Sequence, residues 1–510
     1  MFKNKSTIAG TMAGVVFVTF LGKILSLVRE ALIANYYGAS YVTDIYVLEN
    51  GIVNAVCTVL LCVATTAFIP VFMNRRANNE NVRLFAQNAL VFFSLSSALL
   101  AIVLFFIPEI VLGFVAPGTF AKYDGSQLDL ILLSLRLSFI NIFLLSVQGA
   151  LRALMQAYGK MILAAAQSLV LNCVLILYLT MLNSLGLIGL TFAMVVAQGS
   201  IVLLYFVRAI VGAMVGFEKV PIRSLVEDAR ELVKLAFPVM LMSILSQASY
   251  IVDRNVASGF AEGTMALIGY ASTLALALNA LFGESINNVV YPKLAEYASR
   301  GDEEHFSDLG KSVFVAASTL LIPMIIGMMV ASEDVIRLVY GRGGFTESNV
   351  VECGMYLTLY LPGIYFFYLR DLLNRFCYSK HSTRVPSLCA AAGFILTIAF
   401  NMLLPRFMGS DGIVTAVTVA AFLSFVLEFV LIKITRIDDF ADGWIRSVFV
   451  ISLSAMLSLG LTSCMHAILD VPHVFRLAAC LLTAFVSFAI IAVPTLKSSY
   501  IRILKGNLID

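Results

Sequence analysis

Ionisable residues interrupt stretches of chain that are otherwise apolar, and seven of them are candidates for chemistry. Lys23 and Arg29 lie in the first stretch, Asp44 opens the second, and Arg136 sits within the fourth. Asp253 and Arg254 stand near the end of the seventh, and Glu284 lies in the eighth beside Asn287 and Asn288. An ionisable group at bilayer depth costs about 2.5–3.5 kcal/mol, so each one needs a partner, water or a task. Lys23 and Glu30 are seven residues apart and share a helix face. Cations in the first half, with Asp253 and Glu284 in the second, would line a polar cavity. Arginine grips phosphate with a planar fork of donors. Lys23, Arg29, Arg136 and Arg254 are therefore read as holding an anionic headgroup, with Asp44 orienting it or gating. Asp253 and Glu284 are read as groups that couple to a monovalent cation. A plainer reading stands beside this one: Arg29–Asp44 and Asp253–Arg254 as ion pairs that pin helix ends. Arg370, Asp371 and Arg375 lie near an inner membrane face and read as snorkelling side chains.

The chain carries no P-loop, no GxSxG, no HExxH and no aspartate-rich loop. It is not expected to be an enzyme, to hold a cofactor or to be driven directly by ATP. Energy would come from the membrane potential, an ion gradient such as a monovalent cation, or the substrate's own gradient. The four histidines (His305, His381, His466, His473) fall in or beside connections and read as solvated. The eight cysteines lie in or at the ends of apolar segments without CxxC spacing, and read as small buried hydrophobes.

The elements that must position these residues are membrane helices. Apolar residues make up 60% of the 510 and charged residues 13%, with a mean hydropathy of +0.94; a soluble domain sits near 45–50% apolar and 25% charged. Fourteen apolar stretches run near 7–33, 41–73, 84–115, 127–156, 160–182, 185–211, 232–259, 264–297, 305–332, 349–379, 385–405, 411–433, 445–467 and 474–495. Lys and Arg collect in every second gap: Arg75, Arg76 and Arg83; Arg152 and Lys160; residues 208–234; Lys293, Arg300 and Lys311; residues 370–384; Lys433, Arg436 and Arg446. This alternation marks a multi-pass protein with basic loops and both termini in the cytoplasm. The net charge of +3 is then topological, and no nucleic-acid partner is expected. The start resembles a signal peptide, yet Gly22-Lys23 and Arg29-Glu30 follow without an A-x-A-like site, so an uncleaved first helix is expected.

Two halves echo each other about 220 residues apart. Val28-Arg29-Glu30 is matched by Val252-Asp253-Arg254, Phe68-Ile69-Pro70 by Val290-Tyr291-Pro292, Gly118-Thr119-Phe120 by Gly343-Gly344-Phe345, and Tyr158-Gly159-Lys160 by Tyr378-Ser379-Lys380. Six helices per half give both the same orientation, a parallel repeat about an axis along the membrane normal. The expected fold is all-α, about 14 transmembrane helices in two six-helix lobes, 1–215 and 216–435, with two extra helices and a cytoplasmic tail in 436–510.

Gly22-Lys23-Ile24-Leu25-Ser26-Leu27-Val28-Arg29-Glu30, with Tyr37-Gly38-Ala39 and Thr43-Asp44, resembles the opening of the MurJ (MviN) family. Ala67-Phe68-Ile69-Pro70, Ser246-Gln247-Ala248-Ser249, Val252-Asp253-Arg254, Tyr340-Gly341-Arg342-Gly343-Gly344-Phe345 and Arg375-Phe376-Cys377-Tyr378-Ser379 extend the likeness over nearly the whole chain. The resemblance implies a member of the multidrug/oligosaccharidyl-lipid/polysaccharide exporter superfamily. It implies a flippase moving lipid II, the undecaprenyl-pyrophosphate-linked peptidoglycan precursor, across the bacterial inner membrane by alternating access. It implies that Arg29 and Asp44 are functionally important, with Lys23 keeping the charge of a common arginine. The substrate would be a lipid-linked glycan, the surroundings membrane lipids, and the protein a monomer. Cys57 and Thr273 fall roughly where the family often carries further cavity arginines. Export of another lipid-linked oligosaccharide or polysaccharide unit is the alternative reading.

Overall fold

The computed structural model describes residues 5–216, 221–279, 284–435 and 443–496; the side chains of residues 5–9, 284–289 and 443–446 lie outside that set. In lipid every backbone polar group must be satisfied within the chain, so long runs of Leu, Ile, Val, Ala and Phe fold as helices. Twelve of the described helices are long and apolar enough to span a bilayer, and two shorter apolar helices hold the places of the fifth and eighth stretches. In chain order these are α1 (Lys5–Tyr37), α2 (Tyr41–Val63), α3 (Val82–Phe106), α4 (Gly125–Ala157), α5 (Gln167–Met181), α6 (Gly186–Val211), α7 (Ile222–Ser258), α8 (Thr264–Leu278), α9 (Glu303–Val330), α10 (Glu347–Ser379), α11 (Arg384–Leu403), α12 (Asp411–Ile434), α13 (Gly443–Ile468) and α14 (His473–Thr495). Many large apolar side chains on them are open to the surroundings, among them Leu99 at 64% and Phe106 at 74%. That surface is fit for lipid rather than water.

One expected stretch breaks, and another is described only in part. The stretch 84–115 ends at Phe106, and a separate short helix, Pro108–Val115, follows. Pro108 has no N–H to donate and disfavours helical geometry at Ile107, which takes φ −127° and ψ 40°. The stretch 264–297 appears as α8 and a following helix, Glu284–Arg300, with 280–283 outside the described residues. The end of α2 passes through a π turn, Ala64–Phe68, into the helix Ile69–Ala77. Pro70 cannot donate to the preceding turn there, and the hydroxyls of Thr65 and Thr66 back-bond to the carbonyls of Leu61 and Cys62 within the same segment.

The chain divides into two units, 1–266 and 267–510. In the first, α4 packs against α3, α2 and α6, α5 bridges α6 and α1, and α7 lies along α2. One apolar cluster fills the half nearer the basic connections, labelled inner below, around Phe68, Phe72 and Phe85, whose rings stack. Another fills the half nearer the basic-poor connections, labelled outer, around Ile45, Leu48, Leu135 and Phe139. In the second unit α12 packs on α10 and α11, and the paired α13 and α14 pack on α9.

Each unit by itself shows the same packing pattern. The α4–α6 and α5–α6 packings of the first unit recur as α10–α12 and α11–α12 in the second. Short helices, Pro108–Val115 and Ser332–Val339, follow the third helix of each half. The turn into α6 uses Gly186 at φ 59°, ψ −143°, and the turn into α12 uses Gly409 at φ 62°, ψ −144°. Only glycine adopts that backbone freely, so its recurrence about 220 residues on is a conserved turn geometry rather than a coincidence of composition.

Candidate functional site

The charged residues of the first unit gather at three levels along α1, α2 and α7. At mid-depth, Arg29 is 15% exposed at its side chain and pairs with Glu30 beside it. It also donates through a terminal guanidinium nitrogen to Asn172 Oδ1 of α5 at 2.9 Å. Asn172 is anchored in turn by its own amide, which donates to the Gly22 carbonyl at 3.0 Å. The guanidinium is thus held in place by a neighbouring helix, and a half-buried Lys23 lies six residues before it on α1. An arginine fixed this way loses little freedom on gripping an oxyanion.

At the outer end, the end bearing the basic-poor connections, Asp44 does not pair with Arg29. Its carboxylate caps the first turn of α8: Oδ2 accepts from the Gly263 amide at 2.7 Å and Oδ1 from the Ala266 amide at 2.8 Å. A buried carboxylate facing orphan N–H groups at a helix start is favoured by both hydrogen bonding and the helix dipole. Further bonds surround it. The Tyr41 amide donates to Glu262 Oε1 at 2.8 Å, and Lys122 Nζ donates to the carbonyls of Ser258, at 2.7 Å, and Phe260. The Gly118 amide donates to Ser258 Oγ at 3.1 Å, and Asn255 donates to the Phe114 carbonyl at 2.9 Å. Burial pulls the Lys122 ammonium below its usual range, against the attraction of Asp44 and Glu262. Together these bonds form a latch between the outer ends of the first helices and the α7–α8 turn. The approach is close: a Cβ on Gly118 would lie 2.6 Å from the Gly259 nitrogen.

At the inner end Arg75 binds Asp228 of α7 at 2.7 Å and Glu231 at 2.5 Å, and Asn88 of α3 donates to Asp228 Oδ2 at 2.7 Å. Helix α7 is therefore tied to the first unit at both ends.

The remaining expected residues are placed differently. Arg254 is buried on α7, its guanidinium over the Tyr250 ring at 4.7 Å, and Asp253 beside it is half-buried. Arg136 stands apart from Arg29 and Lys23; it is 37% exposed and pairs with Glu109 of the short helix Pro108–Val115 at 3.0 Å. Glu284 begins its helix, and its side chain lies outside the described residues.

Sequence reasoning missed several groups. Asn172, an amide in an apolar run, is the residue that fixes Arg29. Asp228 and Asn88 are separated by 140 residues, which no local spacing reveals. Two of the histidines read as solvated keep part of their surface open but also pair: His473 Nδ1 lies 2.6 Å and His466 Nε2 3.5 Å from the fully buried carboxylate of Asp334. Arg476 Nε donates to the same group at 2.7 Å. This cluster ties the helix Ser332–Val339 to α13 and α14. Also in the second unit, α9, α10, α12 and α13 line a half-open apolar cavity of about 580 Å³, with Phe314, Ile326, Phe366, Phe425, Ile451 and Ala455 among its walls.

Comparison with known proteins fits this architecture. A relative from Buchnera aphidicola subsp. Baizongia pistaciae, a probable lipid II flippase MurJ, is 25% identical over 452 residues, covering 87% of this chain and 86% of its own. A probable lipid II flippase MurJ from Thermotoga maritima is 25% identical over 440 residues, covering 86% of each. Among solved structures, the lipid II flippase MurJ in an inward closed conformation superposes with a TM-score of 0.78 at 20% identity, over 95% of this chain and 99% of that one. An inward-facing multidrug resistance MATE family transporter of the MOP superfamily gives 0.63 at 9% identity, over 83% of this chain and 98% of its own. At these identities the structures speak for the fold. The sequence profile described as lipid II flippase MurJ matches residues 33–485, and the chain belongs to that family.

Proposed function

We infer that this chain is a flippase that moves lipid II across the bacterial inner membrane by alternating access, serving cell-wall synthesis. The observation that carries the reading is the pairing, within one unit, of a guanidinium anchored at mid-depth with a latch at the outer end. Arg29, steadied by Asn172, supplies the planar donor set for the pyrophosphate. Lys23 and Arg254 add positive charge, and Asp44 works as the latch rather than as a direct ligand. Arg136, paired with Glu109 away from these groups, contributes least to headgroup binding. With the latch closed, the headgroup enters from the cytoplasm; breaking the bonds to Gly263 and Ala266 lets it leave on the other side. The alternation of basic and basic-poor connections supports a cytoplasmic position for both termini.

The apolar cavity of the second unit supports the reading from the substrate's other end. A polyprenyl tail needs a greasy seat while its headgroup crosses, and the lining of Phe, Ile and Met side chains provides one without a charged group. Energy is drawn from the membrane potential or a cation gradient, and the functional unit is a monomer.

The test is complementation in a bacterium whose own lipid II flippase can be shut off. Growth on expression of this chain, lost in Arg29→Ala with the variant still inserted in the membrane, supports the reading. No growth with a well-inserted wild-type chain overturns lipid II as substrate and favours another undecaprenyl-linked glycan, consistent with Cys57 and Thr273 where cavity arginines are common in the family.

A further inference from the structure

Glu49 lies eight residues into α2 from Tyr41, about 12 Å along the helix, and is 2% exposed. Its Oε2 accepts from Thr191 Oγ1 of α6 at 2.8 Å. Thr191 Oγ1 also meets Ser134 Oγ of α4 at 2.7 Å and the Leu187 carbonyl at 3.1 Å. The second carboxyl oxygen, Oε1, is buried with no hydrogen-bond partner. The titratable group on the same face of α2 is Tyr46, itself buried, with the Arg29–Glu30 pair of α1 near its ring hydroxyl. The helices that hold the carboxyl, α4 and α6, present it with hydroxyls and no cation.

A carboxylate here would have only hydroxyl donors, from Ser134 and Thr191, one buried oxygen left without a hydrogen bond and no counter-charge on α4 or α6 among the described residues, a combination that strongly disfavours the ionised form. The hydroxyl pair suits either state. When Glu49 is ionised, Ser134 donates to Thr191 and Thr191 to Oε2. When it is protonated, the carboxyl donates to Thr191 Oγ1, and Thr191 turns its hydrogen to the Leu187 carbonyl or to Ser134. We propose that Glu49, with Thr191 and Ser134, is a proton-binding site inside the first unit. The proton comes from water and returns to water when rearrangement of α2 admits it. The same helix carries Asp44, five residues earlier, so the protonation state of Glu49 and the closure of the outer latch act on one rigid element. Coupling to transport rests on the flippase reading above; proton binding itself does not, and is measured on the resting protein.

The experiment is infrared difference spectroscopy on the full chain in nanodiscs as pH is varied. The expected result is a protonated-carboxyl band that titrates with pH, is absent in Glu49→Gln and is unaffected by added sodium chloride. The band of another buried carboxyl, Glu428, persists in that variant. Thr191→Val keeps the carboxyl and removes its partner, so it shifts the titration midpoint; this variant decides the matter if Glu49→Gln does not fold. An unchanged spectrum in both variants, or a band that sodium removes at constant pH, overturns the proposal. In a transport assay, wild type varies with pH and Glu49→Gln does not; an equal pH dependence in the two refutes the coupling.

Discussion

Replacing Asp44 with alanine removes both carboxylate bonds to the α7–α8 turn. Each joins an ionised acceptor to a backbone amide at 2.7–2.8 Å, a class worth about 1.5–3 kcal/mol net per bond. Taking the lower figure for both gives about 3 kcal/mol, a shift on the order of a hundredfold in the ratio of latched to unlatched molecules. Asp44→Asn keeps one acceptor oxygen and should shift the ratio about tenfold by the same bookkeeping. Spin labels at the exposed positions Gln127 and Ala261, after replacement of the exposed Cys173 and Cys464, report the separation by pulsed electron resonance in nanodiscs. Wild type should show one dominant short distance, Asp44→Ala a large added population at longer distance, and Asp44→Asn an intermediate. An unchanged distribution in Asp44→Ala refutes the latch, even if the variant is inactive.

Three further outcomes follow from the same structure. Gly118→Ala places a methyl against the Ser258–Gly259 backbone, which cannot give way as a flexible side chain would; the latch should open by about 1–3 kcal/mol, seen as the long-distance population in the same assay. Asp334 is held below the ordinary carboxylate value: burial raises it, and the hydrogen bonds from Arg476 and His473 outweigh burial. A depressed folded value means that its stabilisation is complete above about pH 4 and is lost as pH falls through the folded value. Asp334→Asn should therefore destabilise the chain by about 3 kcal/mol at neutral pH, with the gap to wild type shrinking in acid-side thermal unfolding as the Asp334 carboxylate of the wild type takes up its proton. Ala455→Trp fills the apolar cavity of the second unit; translocation of a full-length polyprenyl substrate should fall several-fold, while an analogue with a short soluble tail binds as before.

Much of the architecture was legible because lipid imposes simple rules. Apolar length and alternating basic gaps located all fourteen segments, and four short matches exposed the repeat that Gly186 and Gly409 display in backbone angles. What failed were breaks and pairings. Pro108 cut a stretch that hydropathy alone ran through, although its missing N–H was visible in the sequence. The site was legible as a set of residue types and not as a set of contacts. Asp44 was recognisable as a charge that needed a task, but backbone amides leave no signature, so its partners at Gly263 and Ala266 could not be read. The plainer reading set Arg29 against Asp44, whereas Arg29 leans on Asn172, 143 residues away. The Asp334 cluster escaped because its histidines lie in connections, where solvation is the ordinary expectation, and only the packing of α13 and α14 brings them to a buried carboxylate.

The most direct test of the account is translocation of lipid II by the purified chain in proteoliposomes, followed by accessibility of the headgroup to an impermeant reagent. Wild type should move lipid II, while Arg29→Ala and Asp44→Ala, reconstituted to the same level, should not. Equal translocation by Arg29→Ala, or none by a well-folded wild type that moves a different undecaprenyl-linked glycan, would contradict it.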